Sequence, residues 1–238
     1  MRKLCNRRSA SQLAAFTGLG LVVLLTGCAK LPDSGLIPQS RRLVFTMTVQ
    51  GEINRNYVYI VALRPSADPN PPEQGPIPVV APPWGNGFVA GNVTHFVRWD
   101  PLQSPNYLIY QFRNQSLIEY FATGVPINYV DVQQGAKAIR FEIDLNQIAA
   151  NQQVAESFQS LQVNFLSMDR VPQGDTGSKT WDGLGDSGLP LGVNQWVTIP
   201  LRTTGTYDNR RFNDLEPVND TAIPDLDISN WSVEVRAQ

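Results

Sequence analysis

The chain has 238 residues and a formal net charge of −2, with 19 basic residues, 21 acidic residues, one histidine and two cysteines. An acidic balance argues against nucleic acid as a partner, because nucleic-acid binding depends on neutralising phosphates. The single histidine excludes a multi-histidine metal site, and two cysteines exclude a four-cysteine zinc site.

The chain begins with a basic stretch that is followed by an apolar run. Four basic residues lie between Met1 and Arg8, and 13 residues from Leu13 to Leu25 are mostly apolar. A membrane-spanning helix needs about 20 apolar residues, whereas a secretory signal contains about 7–15. Residues 1–27 are therefore predicted to be a signal peptide that is cleaved. We expect the protein to be exported by general secretion rather than by the twin-arginine route.

The sequence Leu25-Thr26-Gly27-Cys28 resembles a lipobox, the processing site of bacterial lipoproteins. The resemblance implies that the thiol of Cys28 is lipidated, that the chain is cut before it and that the new amine is acylated. Two or more acyl chains would anchor the protein stably in a lipid bilayer. The alternative is an ordinary secreted protein with a chance cysteine near the cleavage site.

The lipobox resemblance also predicts a location in the bacterial cell envelope, outside the cytoplasm. Gram-negative lipoproteins kept at the inner membrane commonly have an aspartate where this chain has Ala29. We therefore expect the outer membrane in a Gram-negative organism, and the outer face of the cytoplasmic membrane otherwise. Removal of residues 1–27 leaves 211 residues with a net charge of −6 and one cysteine, so no disulfide can form within the mature chain.

Residues 28–41 are predicted to be a tether, and residues 42–238 a single domain. Runs of β-branched and aromatic residues separated by turn residues are typical of strands. The segment from Pro65 to Pro83 has eight prolines in 19 residues and is predicted to be an extended surface loop. Strands are predicted at residues 43–49, 57–63, 87–99, 107–113, 117–123, 138–143, 161–168, 195–201 and 231–236.

One helix is predicted near residues 145–160, where apolar residues recur at helical spacing and Asp144 with Gln147 resembles a capping box. A parallel β-α-β unit could surround it, but one helix cannot cover both faces of a parallel sheet. The fold class is therefore predicted to be mainly β. We expect an antiparallel β-sandwich, immunoglobulin-like or jelly-roll-like, with this helix in one connection.

The segment from Asp169 to Gly188 is acidic and rich in glycine. Carboxylates on such a loop can gather oxygen ligands around calcium, and Asp175, Asp182 and Asp186 are the candidate ligands. The spacing is not that of an EF-hand, and a solvated surface loop is the alternative. Aspartates are also candidates for a glycoside hydrolase, which uses a pair of carboxylates.

Trp84 and Trp181 are predicted to lie in loops, where an indole ring could stack on a sugar. The tryptophans in or beside strands, Trp99, Trp196 and Trp231, are interpreted as core residues. His95 lies within a predicted strand and is interpreted as a buried, hydrogen-bonded residue rather than a catalytic one.

The order of elements in the mature chain resembles the β-sandwich modules of the DOMON and family-9 carbohydrate-binding kind. A strand at residues 57–63 opens the core, residues 141–145 lead into a short helix, and residues 231–235 close the chain. The resemblance implies a sugar or haem ligand. Haem ligation needs Met or His, which the mature chain has only at Met47, Met168 and His95, so a sugar is favoured.

The sequence as a whole therefore predicts a non-enzymatic, membrane-anchored lipoprotein whose β-sandwich binds a ligand, with carbohydrate as the concrete candidate. Two alternatives stay open. One is a structural or assembly lipoprotein that binds an envelope protein, and the other is an aspartate-dependent glycoside hydrolase.

Overall fold

A computed structural model describes residues 41–189 and 192–237, which belong to one compact unit. The predicted signal peptide 1–27, Cys28 and the tether up to residue 40 lie outside the described residues, and those predictions stay predictions. The described part of the chain contains no helix with the length and apolar character needed to cross a membrane.

The described residues form strands, one short α-helix and two 3₁₀ turns. The strands of the first half are β1 (Arg42–Val49), β2 (Val58–Ser66), β3 (Pro76–Pro78), β4 (Val89–Gly91), β5 (His95–Trp99), β6 (Tyr107–Phe112), β7 (Tyr120–Gly124) and β8 (Asn128–Val130). Those of the second half are β9 (Ala138–Asp144), β10 (Ser160–Met168), β11 (Trp181–Gly183), β12 (Val197–Pro200), β13 (Gly205–Asp208) and β14 (Ile228–Arg236). The helix is α1 (Gln152–Ser157), and the 3₁₀ turns are Leu145–Ile148 and Arg210–Phe212.

Two antiparallel sheets make up most of the domain. The smaller sheet has the order β13-β14-β1-β9-β8, and the larger has the order β11-β10-β2-β5-β6-β7, with β12 also paired to β10. Strands β3 and β4 form a separate two-stranded ribbon. Every strand pair described is antiparallel, which confirms the predicted mainly β, antiparallel fold and removes the parallel β-α-β alternative.

The main core lies between the two sheets, as a sandwich requires. Alternate side chains of β1, including Phe45, point into it, and so do alternate side chains of β2 and β10, such as Val61 and Phe165. The rings of Phe45 and Phe141 stack with centroids 5.2 Å apart. Trp99 and Trp231 are almost fully buried in this core, which confirms their interpretation as core residues. Trp196 is only half-buried and lies beside Gly75 outside this core, so that interpretation is wrong for Trp196.

The larger sheet is also covered on its outer face, which the sequence did not predict. A second apolar cluster contains Ile60, Phe96, Phe112 and Leu166 from the sheet and Phe88 from the chain that crosses it. The proline-rich segment contributes to this layer, since its residues Pro76 and Pro78 form β3 and are buried. The prediction of a surface loop over residues 65–83 is therefore wrong for residues 75–79, whereas residues 80–83 are exposed as expected.

Side chains of β10 hold the proline-rich segment on the sheet. Proline has no N–H, so such a segment offers carbonyl oxygens but few donors to a neighbouring strand. Ser160 donates to the carbonyl of Asp68 (2.6 Å), and Gln162 donates to that of Glu73 (3.1 Å). Asn164 donates to the carbonyl of Pro76 (2.9 Å), so three buried polar side chains replace the missing ladder bonds.

The predicted helix is present in two shorter pieces. The Asp144 and Gln147 capping box forms and begins the first 3₁₀ turn, which confirms that prediction. The backbone becomes extended at Ala149, and the Asn151 side chain then accepts from Val154 N (3.0 Å) to begin α1. This second N-cap, inside the helix predicted at residues 145–160, therefore divides that helix into two pieces.

Residues 51–56 connect β1 to β2, which lie in different sheets, so this segment passes between the two layers. One other expectation needs correction. The strand expected over residues 87–99 is divided into β4 and β5, because Gly91 adopts a positive φ of 74° that ends the extended backbone.

We predict that Asn164→Ala lowers the free energy of unfolding by roughly 2–4 kcal/mol, measured by urea denaturation. Asn164 is fully buried, donates to Pro76 O and Gln195 O and accepts from Leu184 N, so the substitution leaves three buried polar groups without partners. The control is Asn128→Ala in the exposed part of β8, which should change stability by less than about 0.5 kcal/mol. Equal effects of the two substitutions would contradict this role of Asn164.

Candidate functional site

An open groove with a volume of about 640 Å³ lies where three segments of the chain meet. Its walls come from the turn after Trp84, from the connection between β6 and β7, and from the segment between β10 and β11. The groove combines polar side chains with one aromatic ring. The lining residues are Gly85, Asn86, Arg113, Ile118, Glu119, Tyr120, Gln173 and Gly174.

The turn after Trp84 is stabilised by Asn86, whose Oδ1 accepts from the N–H groups of Phe88 and Val89, both at 2.9 Å. Its amide Nδ2 is buried and has no hydrogen-bond partner among the described residues. Gly87 has a φ of +90° and lies so close to the Pro172 carbonyl that any side chain would collide with it. This glycine therefore lets the turn pack directly against the segment between β10 and β11.

The second wall is the connection between β6 and β7. Arg113 N donates to Glu119 O (2.9 Å), and the two side chains form an ion pair at 3.3 Å. Both side chains are largely exposed, at 62% and 70%, so the pair is solvent-screened and its groups are accessible to a ligand. This wall therefore offers donors and acceptors that water already reaches.

Tyr120 supplies the aromatic ring of the groove and is 37% exposed. It packs edge-on against Phe96 (5.1 Å), Phe112 (5.8 Å) and Phe88 (5.8 Å), which belong to the outer apolar cluster. One part of the ring is thus held rigidly by other aromatic side chains, while another part borders the groove.

Trp84 itself is only 4% exposed, so its ring presents no open face to a sugar. The ammonium group of Lys179 lies 4.7 Å from the ring centroid and donates to the carbonyls of Val79 (2.8 Å) and Gly87 (2.9 Å). Burial lowers the pKa of Lys179 to about 8.

Trp181 is half-buried against the outer apolar cluster. These placements give no support to stacking of a sugar on Trp84 or Trp181.

The structure does not bring the predicted calcium ligands together. Asp175 pairs with Arg170 at 2.9 Å, and Asp186 accepts from Gly188 N at 2.9 Å. Asp182 is fully buried in β11, away from the solvated loop that the sequence suggested. Asp175, Asp182 and Asp186 therefore do not form a common calcium site among the described residues.

Asp182 instead lies beside two aspartates from the C-terminal part of the chain. One carboxylate oxygen from each of Asp182, Asp220 and Asp227 lies within 4.8 Å of the other two. Of these three residues, Asp182 alone was predicted from the sequence to be a ligand. No local pattern could identify this set, because β11 and the start of β14 are brought together only by the fold.

Asp182, Asp220 and the nearby Glu216 have raised pKa values. Burial, followed by the nearby charge of Asp220, raises the pKa of Asp182 to about 7. Burial also raises the pKa of Asp220 to about 6, and the neighbouring Asp227 raises that pKa further through a hydrogen bond and its charge. Glu216 lies near the same charges and its pKa is raised to about 12, chiefly by burial and then by Asp182 and Asp220.

His95 lies in β5, is 6% exposed and has its Nδ1 atom 2.8 Å from the hydroxyl of Thr94. Burial lowers its pKa to about 4, so the imidazole is neutral at pH 7. The interpretation of His95 as a buried strand residue is confirmed. Among the residues that line the groove, Glu119 is the one carboxylate, whereas glycoside hydrolysis uses two.

Comparison of the chain with protein-family models, with curated proteins and with solved structures finds no match.

Proposed function

We propose that this protein is a lipid-anchored, non-enzymatic lipoprotein of the bacterial envelope, and that its β-sandwich binds a carbohydrate in the groove beside Tyr120. The lipobox sequence ending at Cys28 supports the anchor. The convergence of three segments on one groove, with an exposed aromatic ring among polar side chains, is the observation that supports the ligand.

A sugar presents a flat face of C–H groups and a rim of hydroxyl groups, and the groove has partners for both. The ring of Tyr120 offers an apolar face that is fixed in place by Phe96 and Phe112. Arg113 provides hydrogen-bond donors, and Glu119 and Gln173 provide acceptors along the walls. Hydroxyl groups both donate and accept, so this mixture matches a carbohydrate better than an anion or an apolar molecule.

The anchor supplies the membrane affinity that the domain lacks. After removal of residues 1–27 the net charge is −6, and an acidic surface is repelled by anionic lipid headgroups. Two or more acyl chains on Cys28 bind a bilayer stably without electrostatic help. The domain would therefore act within the short reach of its tether.

We predict that Cys28→Ala abolishes incorporation of a fatty-acid analogue and releases the protein from the membrane fraction, as judged by metabolic labelling and sedimentation. Cys5→Ala is the matched control, because Cys5 lies within the predicted signal peptide and should leave both labelling and sedimentation unchanged. Labelling that survives Cys28→Ala would contradict lipidation at this residue.

We predict that the double variant Arg113→Ala/Gln173→Ala weakens glycan binding by the full-length protein about tenfold or more. Two hydrogen bonds of about 1 kcal/mol each would be lost, and every 1.4 kcal/mol is tenfold in affinity. Binding is measured on a glycan array and then by calorimetry with the best glycan.

The control for this experiment is Arg202→Ala/Gln133→Ala, which removes the same residue types from exposed positions outside the groove. Both side chains of the test variant are exposed, so the fold should be retained. Absence of any glycan binding by the wild-type chain, or equal binding by the two double variants, would contradict the carbohydrate proposal.

A second candidate function is binding of an envelope protein, and the exposed sheet edges favour it. Strand β7 is the edge of the larger sheet, and four of its five residues are exposed. Ile118 (70% exposed) and Phe121 (43% exposed) lie at this edge, and Val130 (57% exposed) lies on β8 at the edge of the smaller sheet. Unpaired edges with apolar side chains can accept an extended segment of a partner.

We predict for this candidate that a photoreactive amino acid at Phe121 crosslinks one defined envelope protein in intact membranes. The same amino acid at Asn230, an exposed position on β14, is the control and should give no such product. Identical crosslinking patterns from the two positions would argue against a partner at β7, whereas a defined product together with no glycan binding would favour the second candidate.

A further inference from the structure

Three aspartate side chains meet where β11 approaches the start of β14, and the buried side chain of Glu216 lies near their charges. Asp182 belongs to β11, Glu216 and Asp220 precede β14, and Asp227 immediately precedes its first residue. Asp182, Glu216 and Asp227 are each at most 1% exposed, and Asp220 is partly exposed. The cluster is separate from the groove, since none of its members lines it.

The hydrogen bonds of the cluster come mainly from backbone N–H groups. Asp182 accepts from Ile228 N (2.7 Å) and Asp227 accepts from Asn219 N (2.8 Å). Asp220 Oδ2 accepts from Ser187 N (2.7 Å). Asp182 also accepts from Gly183 N (2.9 Å) and from Ser187 Oγ (2.6 Å). Asp220 and Asp227 each accept from a single N–H group, so acceptor sites remain on these two carboxylates.

Two buried oxygens of the cluster have no partner at all among the described residues. One is Oε1 of Glu216, a side chain that is 1% exposed, and the other is Oδ1 of Asp220. Oε2 of Glu216 accepts from Gly185 N at 3.0 Å, so the side chain is fixed beside β11 with its second oxygen unsatisfied. An unpartnered buried carboxylate oxygen is costly, and it is satisfied either by a proton or by a positive group.

No side chain of the described residues supplies that positive group. None of the ion pairs found in residues 41–189 and 192–237 includes Asp182, Glu216, Asp220 or Asp227. Buried negative charges without a cation are unfavourable and must either bind protons or bind a metal ion.

We propose that Asp182, Asp220 and Asp227 bind a calcium ion. Their oxygens lie within 4.8 Å of one another. Three oxygens at most 4.8 Å apart have a common centre within about 2.8 Å of each, so a small inward movement brings all three to the 2.3–2.6 Å typical of calcium. Magnesium binds at about 2.0–2.1 Å and needs near-octahedral geometry, so a site spread over this distance suits calcium better.

The bound ion would stabilise the packing of β11 against the C-terminal strand. Asp182 lies in β11, while Asp220 and Asp227 flank the turn that leads into β14, the strand that pairs with β1 across its length. An ion that binds the folded arrangement but not the unfolded chain raises stability in proportion to the logarithm of its concentration above Kd.

Thermal unfolding of the full-length protein in detergent at neutral pH tests the proposal. The protein is stripped with EDTA and then measured with CaCl₂, with MgCl₂ or with NaCl of equal ionic strength. We expect calcium at about a hundredfold above its Kd to raise Tm by roughly 5–10 °C. Magnesium should raise Tm less, and NaCl should not raise it.

Asp220→Asn is the decisive variant, because its shape is retained while one charge is removed. In EDTA it should unfold at a higher temperature than the wild type, since repulsion in the cluster is reduced, yet it should lose the calcium shift. Asp175→Asn is the matched control from the same acidic segment, where Asp175 pairs with Arg170, and it should retain the calcium shift.

Three results would overturn the proposal: a wild-type Tm that does not respond to calcium, a calcium shift that survives Asp220→Asn, or a shift that is lost in Asp175→Asn. If Asp220→Asn does not fold, calorimetric titration of the EDTA-treated wild type with CaCl₂ decides. Saturable heat with a stoichiometry of about one supports the site, and its absence overturns it.

Discussion

The outer face of the larger sheet depends on the polar side chains of β10. A proline-rich segment cannot join a sheet by an ordinary ladder, because its residues lack N–H donors. Ser160, Gln162 and Asn164 donate to its carbonyl groups instead, and all three are fully buried beneath it. The turn at Trp84 and one wall of the groove follow directly in the chain, so their position rests on these three hydrogen bonds.

Lys179 connects this layer to the segment between β10 and β11. Its ammonium group bridges the carbonyls on either side of the turn and covers the ring of Trp84. A buried ammonium group is unfavourable unless its donors are satisfied, and here two carbonyls and an aromatic face satisfy them. Lys179 therefore joins two of the three segments that border the groove, although these two are distant in sequence.

The sandwich core could be predicted from the sequence because its strands carry β-branched and aromatic residues in runs. Strands β1, β2 and β10 lie within two or three residues of their expected bounds. Strands β3 and β11 were missed because each has three residues and contains proline or glycine.

The candidate site was harder to predict, for a physical reason. Alternation of polar and apolar residues in β10 normally indicates one solvated face, yet every residue of this strand is buried. Nothing local in the sequence shows that a second layer covers the polar face. Trp84, which sequence reasoning placed in an exposed loop, is also buried, with the ammonium group of Lys179 over its ring. The carboxylate cluster escaped for a related reason, since Asp182 meets Asp220 and Asp227 only through the packing of β11 near β14.

Strand β11 connects the two proposed sites. It follows the segment that contributes Gln173 and Gly174 to the groove, and its Trp181 packs on the outer apolar cluster. Its next residue, Asp182, accepts from Ile228 N (2.7 Å) and belongs to the carboxylate cluster. An ion bound there would hold β11 in place and with it the neighbouring wall of the groove. Binding free energies are reciprocal, so a ligand that orders this wall would in turn strengthen binding of the ion.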